Sequence, residues 1–175
     1  ATTGRMWTGA SRGANVWLAG ESSSRFGAPS SFWYLDFDTN GEPTWNGMPA
    51  CTEARPCTPG VRALWAADET LAWAVGFDGQ AFVWDAASAS DGAPARWLPQ
   101  NTNTRHDLEA VWGSGPDDVW AVGRGGTIRH TSRGSSVWTV IPSPTTNDLH
   151  AVWGSGANDV WAAGDSGTIL HYDGT

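Results

Sequence analysis

One segment of the chain occurs twice in nearly the same form. Residues 107–130 (DLEAVWGSGPDDVWAVGRGGTIRH) and residues 148–171 (DLHAVWGSGANDVWAAGDSGTILH) match without a gap at an offset of 41 residues. Two weaker copies precede them, at residues 61–84 and 5–21. Self-similarity at such a period predicts one small structural unit that is repeated along the chain.

Within each copy the apolar runs are short, rich in β-branched and aromatic residues, and separated by Gly, Asp, Asn and Ser. This pattern is typical of strands joined by tight turns, and no 3.6-residue helical period is present. In the third copy we expect strands at 108–113, 119–123, 127–131 and 137–141. The turn GSGPDD (113–118) joins the first two, and we expect Asp118 to cap backbone amides there. Four short antiparallel strands in about 40 residues are the blade of a β-propeller. The predicted fold is therefore an all-β propeller, with one domain over 1–175 and blades at about 1–46, 61–99, 107–142 and 148–175.

Tryptophans anchor the repeats, and eight of the 13 in the chain form two per copy. These anchors are Trp7 and Trp17, Trp65 and Trp73, Trp112 and Trp120, and Trp153 and Trp161. A large aromatic that recurs at the same strand position is most simply explained by packing between blades. We therefore interpret the anchors as core rather than as platforms for sugar rings.

The number of strands does not close a ring. Three copies carry four strands, but the last ends after its third strand, and only ATTG precedes the first strand. In many propellers one terminus supplies the outer strand that is missing at the other end, and four residues are too few for that. This favours a chain that is part of a larger ring; completion by partner chains and a closed four-bladed ring are the alternatives.

Copies of the form LxAVWGSGxxDVWAxGxxGTIxH resemble the WGSG/DVWAVG repeats of predicted propeller proteins from myxobacteria and related bacteria. More distantly they are similar to the Ycf48-like photosystem assembly factors and the Asp-box propellers. The resemblance is specific over 107–175 and weaker over 61–98 and 1–45. It implies a propeller fold and an exported or cell-surface setting, and it implies little chemistry.

Charge and motifs exclude several functions. The net charge is −8, which removes most of the attraction that nucleic acids and anionic membranes offer. No apolar run is long enough for a membrane-spanning helix, and no signal peptide is visible. Nothing resembles a catalytic, metal-binding or nucleotide-binding motif, so we expect no enzyme, cofactor or metal. An enzymatic alternative, a glycosidase or lyase, would require several carboxylates that converge at the central channel, and the predicted innermost strands hold none except Glu109.

Two irregular segments fall on the face of the predicted propeller that carries the turns between second and third strands. They are the insertion at 21–30 and the blade-to-blade link at 46–60. Because loops on a rigid scaffold often carry binding residues, the predicted contact residues are Arg25, Phe26, Glu53 and Arg55.

The link also holds Cys51 and Cys57, the two cysteines of the chain. A local disulfide is favoured over two unrelated thiols, because an exposed pair is reactive and the ring is short. It would indicate an oxidising compartment, so the predicted location is outside the cytoplasm.

The predicted function is a non-enzymatic protein-binding or scaffolding module. The partner is another protein or the remaining blades of a larger propeller. The alternative is a carbohydrate-binding propeller, whose free aromatics would come from Phe26, Tyr34 or Tyr172.

Overall fold

A computed structural model shows 15 strands in four antiparallel sheets, each built from one copy of the repeat. The structure describes the backbone of 4–12, 15–22, 32–37 and 43–48, the side chains at 9 and 10, and all of 60–89 and 97–175. Each sheet has its strands in chain order, as expected for the blades of a β-propeller.

Blade 1 and blade 2 each contain four strands. Blade 1 comprises β1 (Gly4–Arg12), β2 (Asn15–Ser22), β3 (Phe32–Phe37) and β4 (Pro43–Met48). Blade 2 comprises β5 (Val61–Asp68), β6 (Leu71–Gly76), β7 (Ala81–Asp85) and β8 (Trp97–Gln100).

Blade 3 again contains four strands, whereas the described part of blade 4 contains three. Blade 3 comprises β9 (Leu108–Gly115), β10 (Asp118–Gly123), β11 (Ile128–Thr131) and β12 (Thr139–Ile141). Blade 4 comprises β13 (Leu149–Gly156), β14 (Asp159–Gly164) and β15 (Ile169–Tyr172). The all-β class and the four-strand repeat predicted from the sequence are confirmed.

The second and third strands of blades 2 to 4 are joined by one 3₁₀ turn each, at Phe77–Gly79, Arg124–Gly126 and Asp165–Gly167. The last residue of each turn is a glycine with φ between 69° and 72°. A Cβ on Gly126 would also lie 2.0 Å from the carbonyl oxygen of Thr145. Both the left-handed backbone and the close approach of the next link therefore require glycine here.

Successive blades pack flank to flank, because the innermost strand of each blade contacts that of the next. A Cβ placed on Gly113 would lie 2.7 Å from Cη2 of Trp65, in the preceding blade. A Cβ on Gly154 would lie 2.7 Å from Cη2 of Trp112 in the same way. The first glycine of the WGSG motif thus makes room for the indole of the preceding blade.

This packing predicts that Gly154→Ala destabilises the protein, although alanine is normally better than glycine within a strand. The new Cβ would meet both the Trp112 indole and the carbonyl oxygen of Asp159, which lies 2.4 Å away. Overpacking of this kind costs about 1–3 kcal/mol. Urea unfolding measures the loss, and Gly156→Ala is the matched control because no atom lies within 4 Å of its Cβ position. Equal stability of the two variants would contradict the packing.

The core lies between the blades in three buried clusters. Since successive side chains of a strand point to opposite faces, each blade supplies one row to the preceding interface and another to the following one. Trp73 and Trp138 are fully buried between blades 2 and 3, and Trp120 is buried between blades 3 and 4. Trp153 and Trp161 lie on the flank of blade 4 that points away from blade 3, and they are 62% and 41% exposed.

Blade 1 departs from the register of the other blades. Trp65 pairs with Trp73, Trp112 with Trp120, and Trp153 with Trp161, each as cross-strand partners. In blade 1 the partner of Trp17 is Ala10, and Trp7 falls at an irregularity between Met6 and Thr8. Because Arg12 pairs with Asn15, the residue opposite Trp17 is the one seven positions before it. Trp7 is ten positions before Trp17 and therefore lies further along the strand.

The outer strand of blade 3 is shorter than the 137–141 expected from the sequence. Val137 forms a parallel bridge with Asn101, in the link from blade 2, instead of pairing with β11. The next backbone N–H, that of Trp138, donates to the carbonyl oxygen of Asn101 at 2.8 Å. This link therefore positions the Trp138 side chain in the core between blades 2 and 3.

Candidate binding face

The turns between second and third strands lie on the same face as the blade-to-blade links, as predicted. The Phe77 N–H donates to the Gly60 carbonyl at 2.7 Å, and the Arg124 N–H to the Asp107 carbonyl at 2.9 Å. We call this the link face. The predicted contact residues Arg25, Phe26, Glu53 and Arg55, and the cysteines Cys51 and Cys57, lie outside the described residues.

Carboxylates at the start of two innermost strands fix the turns of the preceding blades. Oδ1 of Asp107 accepts from the N–H of Asp78 at 3.0 Å, and Oδ1 of Asp148 accepts from the N–H of Gly125 at 2.8 Å. Each bond joins two blades at the link face. The face is thus built on a rigid frame rather than on independent loops.

Two equivalent positions in each blade come together at the inner edge of this face, and we call them the rim positions. They are Arg62 and Phe77 in blade 2, Glu109 and Arg124 in blade 3, and His150 and Asp165 in blade 4. Arg62 lies over the Phe77 ring at 4.1 Å. Nε of Arg124 is 3.3 Å from Oε1 of Glu109, and Nε2 of His150 is 2.8 Å from Oδ1 of Asp165.

Contact between the rim positions is kept while their chemistry changes from blade to blade. Blade 2 has a cation over an aromatic ring. Blade 3 has an acid on the innermost strand and a base on the turn, whereas blade 4 has the base on the strand and the acid on the turn. These pairs were not predicted from the sequence. The signal was present, because copies 107–130 and 148–171 differ at both rim positions within an otherwise similar segment.

The rim positions of blades 2 and 3 are joined into one charged cluster. Arg62 contacts Oε2 of Glu109 at 2.8 Å and Oδ2 of Asp107 at 3.7 Å, across the interface between the blades. Arg124 approaches the same Asp107 oxygen at 3.4 Å. The carboxylates are largely covered, whereas Arg124 is 53% exposed and presents positive charge to solvent.

A polar groove of about 650 Å³ opens beside this cluster, between the turn of blade 2 and the link at 100–105. Its volume is within the range of small-molecule pockets. Arg129 is buried beneath the link and donates to the carbonyl oxygens of Thr102 at 2.7 Å and Asn103 at 3.2 Å. Burial lowers the pKa of Arg129 from its ordinary value. The link is therefore held by side-chain bonds and forms a fixed wall of the groove.

Asp118 organises side chains on the opposite face, whereas its place in the turn predicts that it caps backbone amides. Its carboxylate accepts from the hydroxyl of Ser114, from Nε1 of Trp120 at 2.7 Å and from Nε2 of His130 at 2.8 Å. The capping prediction was wrong because these side chains lie within reach across the sheet. Blade 4 repeats the arrangement with Asp159 at its centre. We call each set the Ser–Asp–Trp–His tetrad.

Blade 2 replaces the whole tetrad except its tryptophan with apolar residues. The positions equivalent to those of Ser114, Asp118 and His130 hold Ala67, Leu71 and Val83. Leu71 is fully buried, and Nε1 of the buried Trp73 has no hydrogen-bond partner among the described residues. Three of the four tetrad positions therefore differ together between blade 2 and blade 3. This is expected if a polar cluster with unpaired groups is less stable than an apolar cluster.

The tetrad of blade 4 predicts a specific pH dependence. Hydrogen bonds from Ser155, His171 and Trp161 hold the pKa of Asp159 below its ordinary value of 3.8. Since the unfolded carboxylate takes up its proton first, the contribution to stability is complete above pH 3.8 and is lost as the pH falls through the folded pKa. The stability difference between wild type and Asp159→Asn should therefore shrink below this pH in denaturant titrations. A difference that is constant with pH would contradict the role of the carboxylate.

The described residues contain no group of three or more metal-ligating side chains. In the same part of the chain, no helix has the length and apolarity to cross a membrane. The histidines of blades 3 and 4 belong instead to the tetrads and the rim.

Comparison with known proteins supports the architecture. No family model matches the sequence, and no curated protein is similar to it. Among solved structures, the chain is similar to "YCF48 from Cyanidioschyzon merolae", with a TM-score of 0.64 and 16% identity over 98% of this chain and 52% of that one. A second similar structure is "YCF48 bound to D1 peptide", with a TM-score of 0.40 and 18% identity over 97% of this chain and 64% of that one. The chain therefore has the fold of a partial β-propeller, is distantly similar to Ycf48, and spans about half the length of the first of these structures.

Proposed function

We propose that the chain is a non-enzymatic protein-binding module that contacts its partner through the link face. The observation that carries the proposal is the rim, where three equivalent pairs keep their contact but differ in charge and aromatic character. Different side chains on a repeated rigid scaffold provide a distinct contact in each blade. An extended, irregular partner such as a peptide or a loop suits this variation better than a symmetric ligand does.

The groove beside the rim supports a peptide as the part of the partner that is bound. It is lined by residues 78–80 and the link at 100–105, whose amide, hydroxyl and backbone groups can hydrogen-bond to an extended chain. Asp78 and Arg105 both line the groove and carry opposite charges. A partner segment with both an acidic and a basic residue would complement them.

We propose that the protein acts outside the cytoplasm. Support comes from the sequence of the 46–60 link, in which Cys51 and Cys57 are close enough in the chain to form a local disulfide. Mass mapping of freshly isolated protein under non-reducing conditions tests this directly. Two free thiols would remove the argument for export.

The binding proposal is tested by selecting displayed random peptides against the chain and measuring their affinity for charge-reversed variants. Arg124→Glu alters the rim, and Arg133→Glu is the matched control on the opposite face. Both arginines are exposed, at 53% and 42%, and each pairs with a carboxylate near 3.3 Å. We expect at least a tenfold loss of affinity for Arg124→Glu and no change for Arg133→Glu. Equal losses, or no enriched peptide, would contradict the proposal.

The carbohydrate-binding alternative makes a different prediction. Phe26 and Tyr34 would supply its aromatic platform, and binding on a glycan array would be abolished by Phe26→Ala or Tyr34→Ala. Glycan binding on the array, together with peptide affinity that is unchanged in the Arg124→Glu variant, would favour the alternative. Among the described tryptophans, Trp153 is the most exposed. Its equivalents Trp65 and Trp112 contact the following blade, so the exposure of Trp153 does not support a sugar platform.

A further inference from the structure

A second cavity lies on the face opposite the link face, between the outer parts of blades 2 and 3. Its volume is about 310 Å³, and it is lined by β6, β7 and β8 of blade 2 and by the turns that follow β7 and β11. The covered part of the lining is largely apolar and includes Leu71, Trp73, Val83 and Leu98. The exposed lining residues mark the opening and are Ala87, Pro99, Gly134 and Ser136. A cavity of this size is at the small end of the range for ligand pockets.

The indole N–H of Trp73 is a buried donor in the lining of this cavity. The side chain is fully buried, and its Nε1 has no hydrogen-bond partner among the described residues. A buried donor that stays unpaired is costly, and such groups are rare in folded proteins. The N–H is therefore available to an acceptor that enters the cavity.

Blade 3 shows where the indole N–H at this strand position points. There Nε1 of Trp120 donates to Oδ1 of Asp118 at 2.7 Å, and Nε2 of His130 lies 2.8 Å from the same oxygen. In blade 2 the positions of the aspartate and the histidine hold Leu71 and Val83, and both line the cavity. Neither side chain offers an acceptor, and valine is much smaller than histidine. The place of the acceptor in blade 2 is thus at the cavity wall.

Ser88 adds a second unpaired group to the same cavity. Its Oγ is buried, and it has no hydrogen-bond partner among the described residues. A hydroxyl can both donate and accept, so it can pair with another oxygen of a bound molecule. Two buried polar atoms of the lining are therefore left for a ligand to satisfy.

The charges around the cavity favour an uncharged ligand. The charged residue of the lining, Asp85, already accepts from the N–H of Ala87 at 2.9 Å and pairs with Arg133 at 3.3 Å. An anion at the Trp73 N–H would lose its hydration for one strong bond, whereas a carbonyl oxygen is satisfied by one donor. Because a cavity of about 150 Å³ accepts a benzene ring, this one has room for two fused rings.

We propose that this cavity binds an uncharged compound of two fused rings, with a carbonyl oxygen that accepts from Nε1 of Trp73. The site lies on the face opposite the rim. The inference therefore does not rest on the proposed protein-binding function.

The test compares two probes, chromone and naphthalene, on the wild-type chain and on Trp73→Phe. Both probes have two fused rings, but only chromone has a carbonyl group. Phenylalanine keeps an aromatic ring and removes the N–H. We expect saturable chromone binding to the wild type, and an affinity ratio of chromone to naphthalene that falls at least tenfold in Trp73→Phe. Ligand-detected nuclear magnetic resonance measures the affinities.

A direct readout uses the indole N–H signals of the wild-type protein. The signal that is lost in Trp73→Phe belongs to Trp73, and it should move to lower field as chromone saturates the chain. This readout shows whether the N–H gains an acceptor, and it needs no comparison of stabilities.

Two surface variants locate the site without altering the core. Ser136→Trp places a large side chain at the opening and should weaken chromone binding at least tenfold. Thr139→Trp is the matched control, because Thr139 is also exposed but is not part of the lining, and it should leave binding unchanged. Absence of chromone binding, an unchanged affinity ratio in Trp73→Phe, or binding that Ser136→Trp does not affect would overturn the proposal.

Discussion

Trp138→Ala is expected to lower the free energy of unfolding by about 3–5 kcal/mol, the range for removing a large aromatic from a core. The side chain is fully buried between blades 2 and 3, and its Nε1 donates to Oε1 of Gln100. The substitution therefore removes apolar contacts from two blades and leaves the Gln100 oxygen without this partner. Urea unfolding followed by circular dichroism measures the change.

Val140→Ala is the control for this prediction. Val140 lies in the same short outer strand but is 52% exposed, so its truncation should cost less than about 1 kcal/mol. A loss below 1 kcal/mol for Trp138→Ala as well would show that the tryptophan does not join the two blades.

Leu71→Asp is expected to destabilise the protein by about 3–5 kcal/mol, because it buries a charge with too few partners. Leu71 is fully buried at the position that Asp118 occupies in blade 3. In that setting the unpaired Nε1 of Trp73 is the donor available to the new carboxylate. One bond does not compensate for the desolvation of an ionised group.

The triple variant Ala67→Ser, Leu71→Asp and Val83→His installs the complete Ser–Asp–Trp–His tetrad in blade 2. It should recover at least half of the stability that Leu71→Asp loses, since the carboxylate then has the three donors that Asp118 has in blade 3. Unfolding of the single, double and triple variants gives the coupling energy. Additive losses without recovery would show that the four residues do not act as a unit.

The fold followed from the sequence because its signal is repeated. The spacing of paired tryptophans, the DG, GG and SG turns and the alternation within each copy all point to the same four-stranded unit. Trp73 and Trp120 then lie in the core as a recurring strand position predicts. The register of blade 1 did not follow, because Arg12 pairs with Asn15 and the partner of Trp17 is therefore Ala10.

The binding site was harder to foresee because its residues are distant in the chain. Glu109 and Arg124 are 15 positions apart, and a pairing across the end of a sheet gives no local motif. The role of Asp118 was missed for a related reason. Its partners Ser114 and His130 come from the adjoining turn and from another strand, so sequence proximity to backbone amides suggested a cap instead.

The most direct test of the account is the contact between each inner-strand tryptophan and the glycine of the following blade. In protein with protons only on tryptophan and glycine, we expect strong nuclear Overhauser effects from Hη2 of Trp65 to Hα of Gly113 and from Hη2 of Trp112 to Hα of Gly154. Absence of both signals in the folded protein would contradict the packing of the repeats as successive blades.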